Sequence, residues 1–418
     1  MRVGSSWRSR TGWPLEAPCH RTRHAYDPAI RILFTFLPGS LGHFLPLVPL
    51  AEAAESMGHE VAFVSGANRG PAVVERGFRF FPAGLTYSDM GAELRRRYPD
   101  WPWGPDFEHV YSLGFAGVYG PAMAEDLPRV LGEFPADVLV AEVGEFGGPV
   151  IAAAASIPWA ALGWALPIPV DIAEAAGQAA APMWAERGLD EPPYGGLYRH
   201  CYLDPCPPSL DPGDGPRIAR RQPLRPALPG GGSVPEWLAH LPDRPTVYVT
   251  LGTAASFAAN GQALLDAVAE GLGGLDMNVV ISGTAAEQGG PVPPNVYMAN
   301  FVPLSEVLPR SQLVISHAGA GTILAALRAA VPHLVLPMGA DQFRNADALV
   351  RAGVARRLDL EELTGGRLRD RVEEMIGEPG GALAARGIAA EIHTMPGPDR
   401  AISTLEALTG QVSRREYE

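Results

Sequence analysis

The chain has 418 residues, and its 33 basic and 46 acidic side chains give a net charge of −13, which argues against nucleic acid or an anionic membrane surface as the main partner. All 33 basic residues are arginine, so a Walker A lysine, a Schiff-base lysine and pyridoxal phosphate chemistry are excluded together. Cys19, Cys201 and Cys206 form an odd set without metal-ligand spacing, which points to a reducing cytoplasm and no disulfide framework.

Residues 1–29 lack an apolar signal core and carry Arg2, Arg8, Arg10, Arg21 and Arg23, so they read as a basic disordered leader or an over-extended start. Apolar runs then predict strands at 30–36, 61–64, 78–81, 138–141 and 159–162, with a helix over 43–57 between the first two. The uncharged stretch 146–170 is broken by Pro149, Pro158, Pro167 and Pro169, so it reads as a buried helix and strand and not as a membrane span. A second series of strands is predicted at 247–251, 278–282, 296–298, 313–315, 334–336 and 355–358. Between the two series, 205–245 holds 11 prolines and a triple glycine at 230–232, and is predicted to lack regular structure. The fold class is therefore α/β, with two facing Rossmann-like domains, parallel sheets and an interdomain cleft. The expected division is a leader at 1–29, an acceptor-binding domain at 30–208, a linker at 209–245, a nucleotide-binding domain at 246–410 and a tail at 411–418.

The densest chemistry lies in 313–345, read as strand, glycine-rich turn, helix, strand and a second turn. The turn His317, Ala318, Gly319, Ala320, Gly321, Thr322 lets a ligand approach the backbone, and the amides of the following helix favour an anion. His317 can donate to a phosphate oxygen and Thr322 can offer a hydroxyl, while Asp341 and Gln342, beyond the next strand, suit two sugar hydroxyls. No GxGxxG with a following acid supports a nicotinamide or flavin site, which leaves a nucleoside diphosphate linked to a hydroxylated group. In the first half, His43 follows the first strand and is a natural general base near neutral pH. Glu142, just beyond 138–141, emerges at the same sheet edge and can orient it, with Glu145 near enough in sequence to compete.

These motifs carry a resemblance. GHFLP at 42–46 with Leu50 and Ala51, LGT at 251–253, FVP at 301–303, HAGAGT at 317–322 and DQFRN at 341–345 resemble the inverting family 1 glycosyltransferases of GT-B fold, most of all the bacterial branch that decorates natural products, including the calicheamicin and macrolide enzymes. The likeness runs from Arg31 to about Gly410. It implies that Val302 meets the nucleobase through its backbone, that Gly252, Thr253, His317 and the amides of Gly319, Ala320, Gly321 and Thr322 hold the diphosphate, and that Asp341 and Gln342 hold the donor sugar. It further implies His43 as base and Glu142 in the place where many relatives carry aspartate. Ala325 stands where plant members place a ribose-binding glutamate, so a thymidine diphosphate donor is at least as natural as a uridine one.

The implied reaction is one in-line displacement at the anomeric carbon. With no Asp-x-Asp in the chain, helix amides and His317 are expected to neutralise the leaving diphosphate without a metal or cofactor. The aromatic stretch 81–119, with Trp101, Trp103, Phe107, Tyr111 and Phe115 among its rings, is expected to be mostly loop and loose helix, and to bind a large apolar acceptor. The expected partners are a nucleotide-sugar donor and a small natural-product acceptor, in a cytoplasmic monomer or homodimer. Two alternatives share the fold: a nucleotide-sugar epimerase, and a non-catalytic auxiliary protein.

Overall fold

The computed structural model describes residues 29–100, 106–228, 233–252, 261–283 and 292–415. Two parallel sheets organise the chain. The first has seven strands in the order β3-β2-β1-β4-β5-β6-β7 and the second six in the order β10-β9-β8-β11-β12-β13. The first comprises β1 (Arg31–Thr35), β2 (Glu60–Ser65), β3 (Arg79–Pro82), β4 (Val138–Glu142), β5 (Trp159–Leu162), β6 (Cys201–Asp204) and β7 (Arg221–Pro223). The second comprises β8 (Thr246–Thr250), β9 (Asn278–Ser282), β10 (Val296–Ala299), β11 (Leu313–Ser316), β12 (His333–Val335) and β13 (Ala355–Arg357). Central strands such as VLVAE in β4 and TVYVT in β8 are buried along their whole length, as a parallel sheet covered by helices on both faces requires.

In each sheet the chain order reverses at one place, between β1 and β4 in the first and between β8 and β11 in the second. Crossover helices leave a crevice beyond the carboxyl ends of such strand pairs, and open α/β sheets bind ligands there. His43 follows β1, Glu142 ends β4, Gly252 follows β8 and His317 follows β11, so both switch points are lined by residues that the sequence singles out.

The structure corrects several sequence expectations. The predicted helix over 43–57 is a 3-10 turn, Leu41–His43, and a separate helix, Val48–Ser56. Pro46 has no amide hydrogen to donate and disfavours helical backbone at Leu45. The stretch 81–119 is more regular than expected, with helix Tyr87–Arg97 and a π-helix, Val110–Tyr119. The proline-rich 209–245 segment is not without structure: β7 pairs in parallel with β6, and a 3-10 helix spans Glu236–His240.

Nor does the final helix, Pro398–Arg415, stay with the second sheet as the 246–410 division expects. Its Ala401, Ile402, Leu405 and Leu408 pack among Phe34, Leu50 and Val138 in the core of the first. The two halves also share a hydrophobic cluster in which Ala165, Leu166, Cys206 and Leu210 meet Ile323, Leu324, Leu349 and Ile388. Beside it, Arg344 pairs with Asp214 at 2.5 Å.

Candidate active site

Ser40 accepts from the Gly42 amide at 3.2 Å and caps the 3-10 turn that presents His43. His43 Nδ1 lies 2.5 Å from Oε1 of Glu142, the last residue of β4. Glu142 is buried, and its Oε2 accepts from the Leu37 amide at 3.2 Å. Glu145 is occupied elsewhere. It accepts from the Thr35 hydroxyl at 2.6 Å and from the amides of Gly147 and Gly148 at the start of helix Gly147–Ala154. Burial pushes its carboxyl up to about 7, against the pull of those donors. Burial also works against the His43 imidazolium, but the charge and hydrogen bond of Glu142, with the charge of Asp341, outweigh it, and the His43 pKa is raised.

Across the cleft, His317 is held between two glycines. A Cβ on Gly252 would lie 2.5 Å from His317 Cε1, and one on Gly319 would lie 2.3 Å from His317 Nε2. Only bare backbone leaves room for the ring. Burial lowers the His317 pKa to about 4, so the imidazole is neutral at physiological pH. Helix Ala320–Arg328 begins at Gly319 with no side-chain cap, so no side chain occupies its first amides, the groups through which helix N-termini bind anions. Asp341 sits at the start of helix Gln342–Arg351, where burial raises its pKa and Asn345 Nδ2 donates to it at 2.9 Å. Gln342 Oε1 accepts from the amides of Met338 and Gly339 at 2.8 and 3.1 Å. Both turns pass through left-handed alanines, Ala318 at φ 65° and Ala340 at φ 52°.

One cleft of about 360 Å³ gathers these groups. Ser40, His43, Phe107, Val110, Phe115 and Trp164 line it from the first half, and Gly252, Val302, His317, Gly319, Ala320, Gly321, Thr322, Asp341 and Gln342 from the second. Residues 110–252 match the family described as erythromycin biosynthesis protein CIII-like, N-terminal domain, and residues 263–408 match the corresponding C-terminal domain. The chain belongs to this family of antibiotic glycosyltransferases. It is 30% identical to the L-demethylnoviosyl transferase of Streptomyces niveus over 388 residues, 90% of this chain and 92% of that protein. Among solved structures, spinosyn rhamnosyltransferase SpnG complexed with thymidine diphosphate superposes with a TM-score of 0.76 at 26% identity, over 90% of this chain and 100% of that one. Glycosyltransferase VinC in complex with dTDP gives 0.75 at 25% identity, over 91% and 100%. The architecture is GT-B.

The glycosyltransferase places the sequence-derived residues unevenly. His43, Glu142 and the donor-side residues Gly252, Val302, His317, Gly319, Ala320, Gly321, Thr322, Asp341 and Gln342 are brought to the cleft or its first layer, whereas Thr253, Trp101 and Trp103 lie outside the described residues. Tyr111 is a correction. Its ring is fully buried and its hydroxyl donates to the Val143 carbonyl at 2.7 Å, so it supports the wall from behind instead of facing the acceptor space. The exposed wall is formed by Phe107, Val110, Phe115 and Trp164. Val110 and Phe115 share a face because the segment is a π-helix, whose i→i+5 bonding aligns residues five apart. Among the site residues that sequence reasoning missed is Trp164. Its signal was its position two residues past β5, beside the edge where Glu142 emerges.

No helix among the described residues is long and apolar enough to cross a membrane. No group of three or more His, Cys, Asp or Glu side chains among them is placed to hold a metal ion.

Proposed function

We propose that this glycosyltransferase moves a sugar from a thymidine diphosphate donor to a hydroxyl of an apolar natural product, with inversion and without a divalent metal. The observation that carries the reading is the His43–Glu142 pair facing the uncapped start of helix Ala320–Arg328 and Asp341 across one cleft. Neutral His43 takes the proton of the acceptor hydroxyl at Nε2, because Nδ1 is engaged by Glu142. The acceptor oxygen attacks the anomeric carbon, and the bond to the diphosphate breaks on the opposite face. The amides of Ala320, Gly321 and Thr322, with His317, receive the charge that grows on the leaving phosphate. Asp341 and Gln342 hold the sugar.

Support for thymidine over uridine comes from the two solved relatives bound to thymidine diphosphate. Phe107, Val110, Phe115 and Trp164 form an apolar wall that suits a rigid hydrophobic acceptor. The test is calorimetric titration of thymidine diphosphate and uridine diphosphate in the presence of a chelator. Micromolar binding of thymidine diphosphate is expected. Binding that needs a divalent metal would overturn the metal-free reading, and a preference for uridine diphosphate would overturn the donor.

A further inference from the structure

Glu142 carries one more rotatable bond than aspartate would, so its carboxylate needs more holding to meet His43 in one orientation. Two donors beyond His43 reach it. Leu37 N–H binds Oε2, and the indole N–H of Trp164 donates to Oε1, the oxygen that also meets His43 Nδ1. The indole stands edge-on to His43 with centroids 5.7 Å apart, and Phe107, Tyr111 and Phe115 pack around it at 6.2, 5.9 and 6.4 Å. Trp164 also lines the cleft itself.

We propose that Trp164 is a positioning residue: its N–H fixes Glu142 Oε1 against His43 Nδ1. The inference rests on the proposed role of His43 as base. A carboxylate oxygen has lone pairs for two donors, so the indole and the imidazole share Oε1 without displacing one another. The aromatic packing holds the indole plane, and the plane sets where Oε1 lies.

The test replaces Trp164 with phenylalanine, which keeps a ring, and with 3-benzothienylalanine, which keeps the bicyclic shape and exchanges N–H for sulfur. Thymidine diphosphate affinity should be unchanged in both, while kcat falls roughly 10- to 100-fold, the usual effect of a small misplacement of a catalytic group. The acidic limb of the kcat profile should move to higher pH, because Oε1 loses a competing donor and its charge bears more fully on the imidazolium. The other charged groups that face His43, Asp341 and Arg69, and Glu145, which faces Glu142, are the same in every variant.

If phenylalanine disturbs packing and thymidine diphosphate binding is lost, the benzothienyl variant decides. Wild-type kcat with an unmoved or lowered acidic limb in that variant overturns the proposal. His43→Ala separates the two ideas. Full activity in His43→Ala refutes the base itself, whereas an inactive His43→Ala beside a fully active benzothienyl variant refutes only the role of Trp164.

Discussion

Replacing Glu142 by glutamine keeps the size of the side chain and removes one of its two acceptors. Three donors converge on the carboxylate: the Leu37 amide at Oε2, and Trp164 with His43 Nδ1 at Oε1. Glutamine offers one carbonyl oxygen and one NH2 group. With the oxygen at the Oε1 place, the NH2 opposes the Leu37 N–H, and a buried donor left unpaired costs about 1–3 kcal/mol. With the oxygen at the Oε2 place, the NH2 opposes the indole and forces His43 to accept at Nδ1. The proton then sits on Nε2, the nitrogen that should take one from the acceptor. The analogous carboxylate-to-amide change in a serine-protease triad costs about 10⁴ in kcat by the same tautomer error.

We therefore expect Glu142→Gln to lower kcat by roughly 10²- to 10⁴-fold, the lower figure applying if the first orientation prevails. Thymidine diphosphate affinity should change by no more than about twofold, since the donor groups are untouched. Initial rates at saturating donor and acceptor, read by product chromatography, give kcat, and calorimetry gives the affinity. The charge of Glu142 helps raise the His43 pKa. Without that charge the pKa falls, and any residual activity should rise at a lower pH than in the wild type. A kcat within about threefold of wild type, with the acidic limb unmoved, would refute the assignment of the pair, because the corresponding change in a serine-protease triad costs about 10⁴.

Gly319→Ala places a Cβ 2.3 Å from His317 Nε2 at an ordinary φ of −68°, and Gly252→Ala places one 2.5 Å from Cε1 at φ +66°. Both should weaken thymidine diphosphate binding about tenfold by displacing the ring, and Gly252→Ala should also cost about 1–2 kcal/mol in unfolding free energy for its left-handed backbone. Glu145 titrates near 7 in the folded chain against 4.5 for a free side chain. Between those values the native state holds the extra proton, so stability is fully present at low pH and declines as pH rises through the window, by at most about 1.4 kcal/mol per pH unit. Glu145→Gln, whose NH2 can donate to Thr35, should flatten the dependence of Tm on pH between about 5 and 8. Leu405→Ala, in the final helix, removes a fully buried side chain from the core of the first sheet. It should cost about 2–5 kcal/mol in urea unfolding; a cost near zero would show that the helix contributes nothing to that core.

The central strands were legible because parallel sheets covered on both faces demand continuous apolar runs, and runs such as VLVAE and TVYVT are unambiguous at that length. Residues just past those strands follow from topology, which is why His43, Glu142, His317 and Asp341 were found together. The edge was harder. β6 is the four-residue CYLD and β7 the three-residue RQP, neither of which has a period to detect. The π-helix hid the proposed acceptor wall for a related reason: apolar residues five apart fit neither a helical nor a strand pattern, so Tyr111 reads as a wall residue from sequence although it packs behind the wall. The sequence of Pro398–Arg415 is that of an amphipathic helix, but no local signal says which of two sheets it will cover.

The donor side shows what local rules leave out. Alanine is not a turn residue, yet Ala318 and Ala340 both take left-handed backbone in the two turns that bound the proposed donor site, at a cost of about 1–2 kcal/mol each. Something must hold them there. Asn345 does so from one position: its Nδ2 donates to the Ala318 carbonyl at 3.0 Å and to Asp341 Oδ2 at 2.9 Å. A single buried amide thus links the turn that follows β11 to the turn that follows β12, so the proposed diphosphate and sugar contacts would be built as one unit. The left-handed residues sit in the turns proposed to hold the donor, and strained residues in folded proteins tend to gather at functional sites.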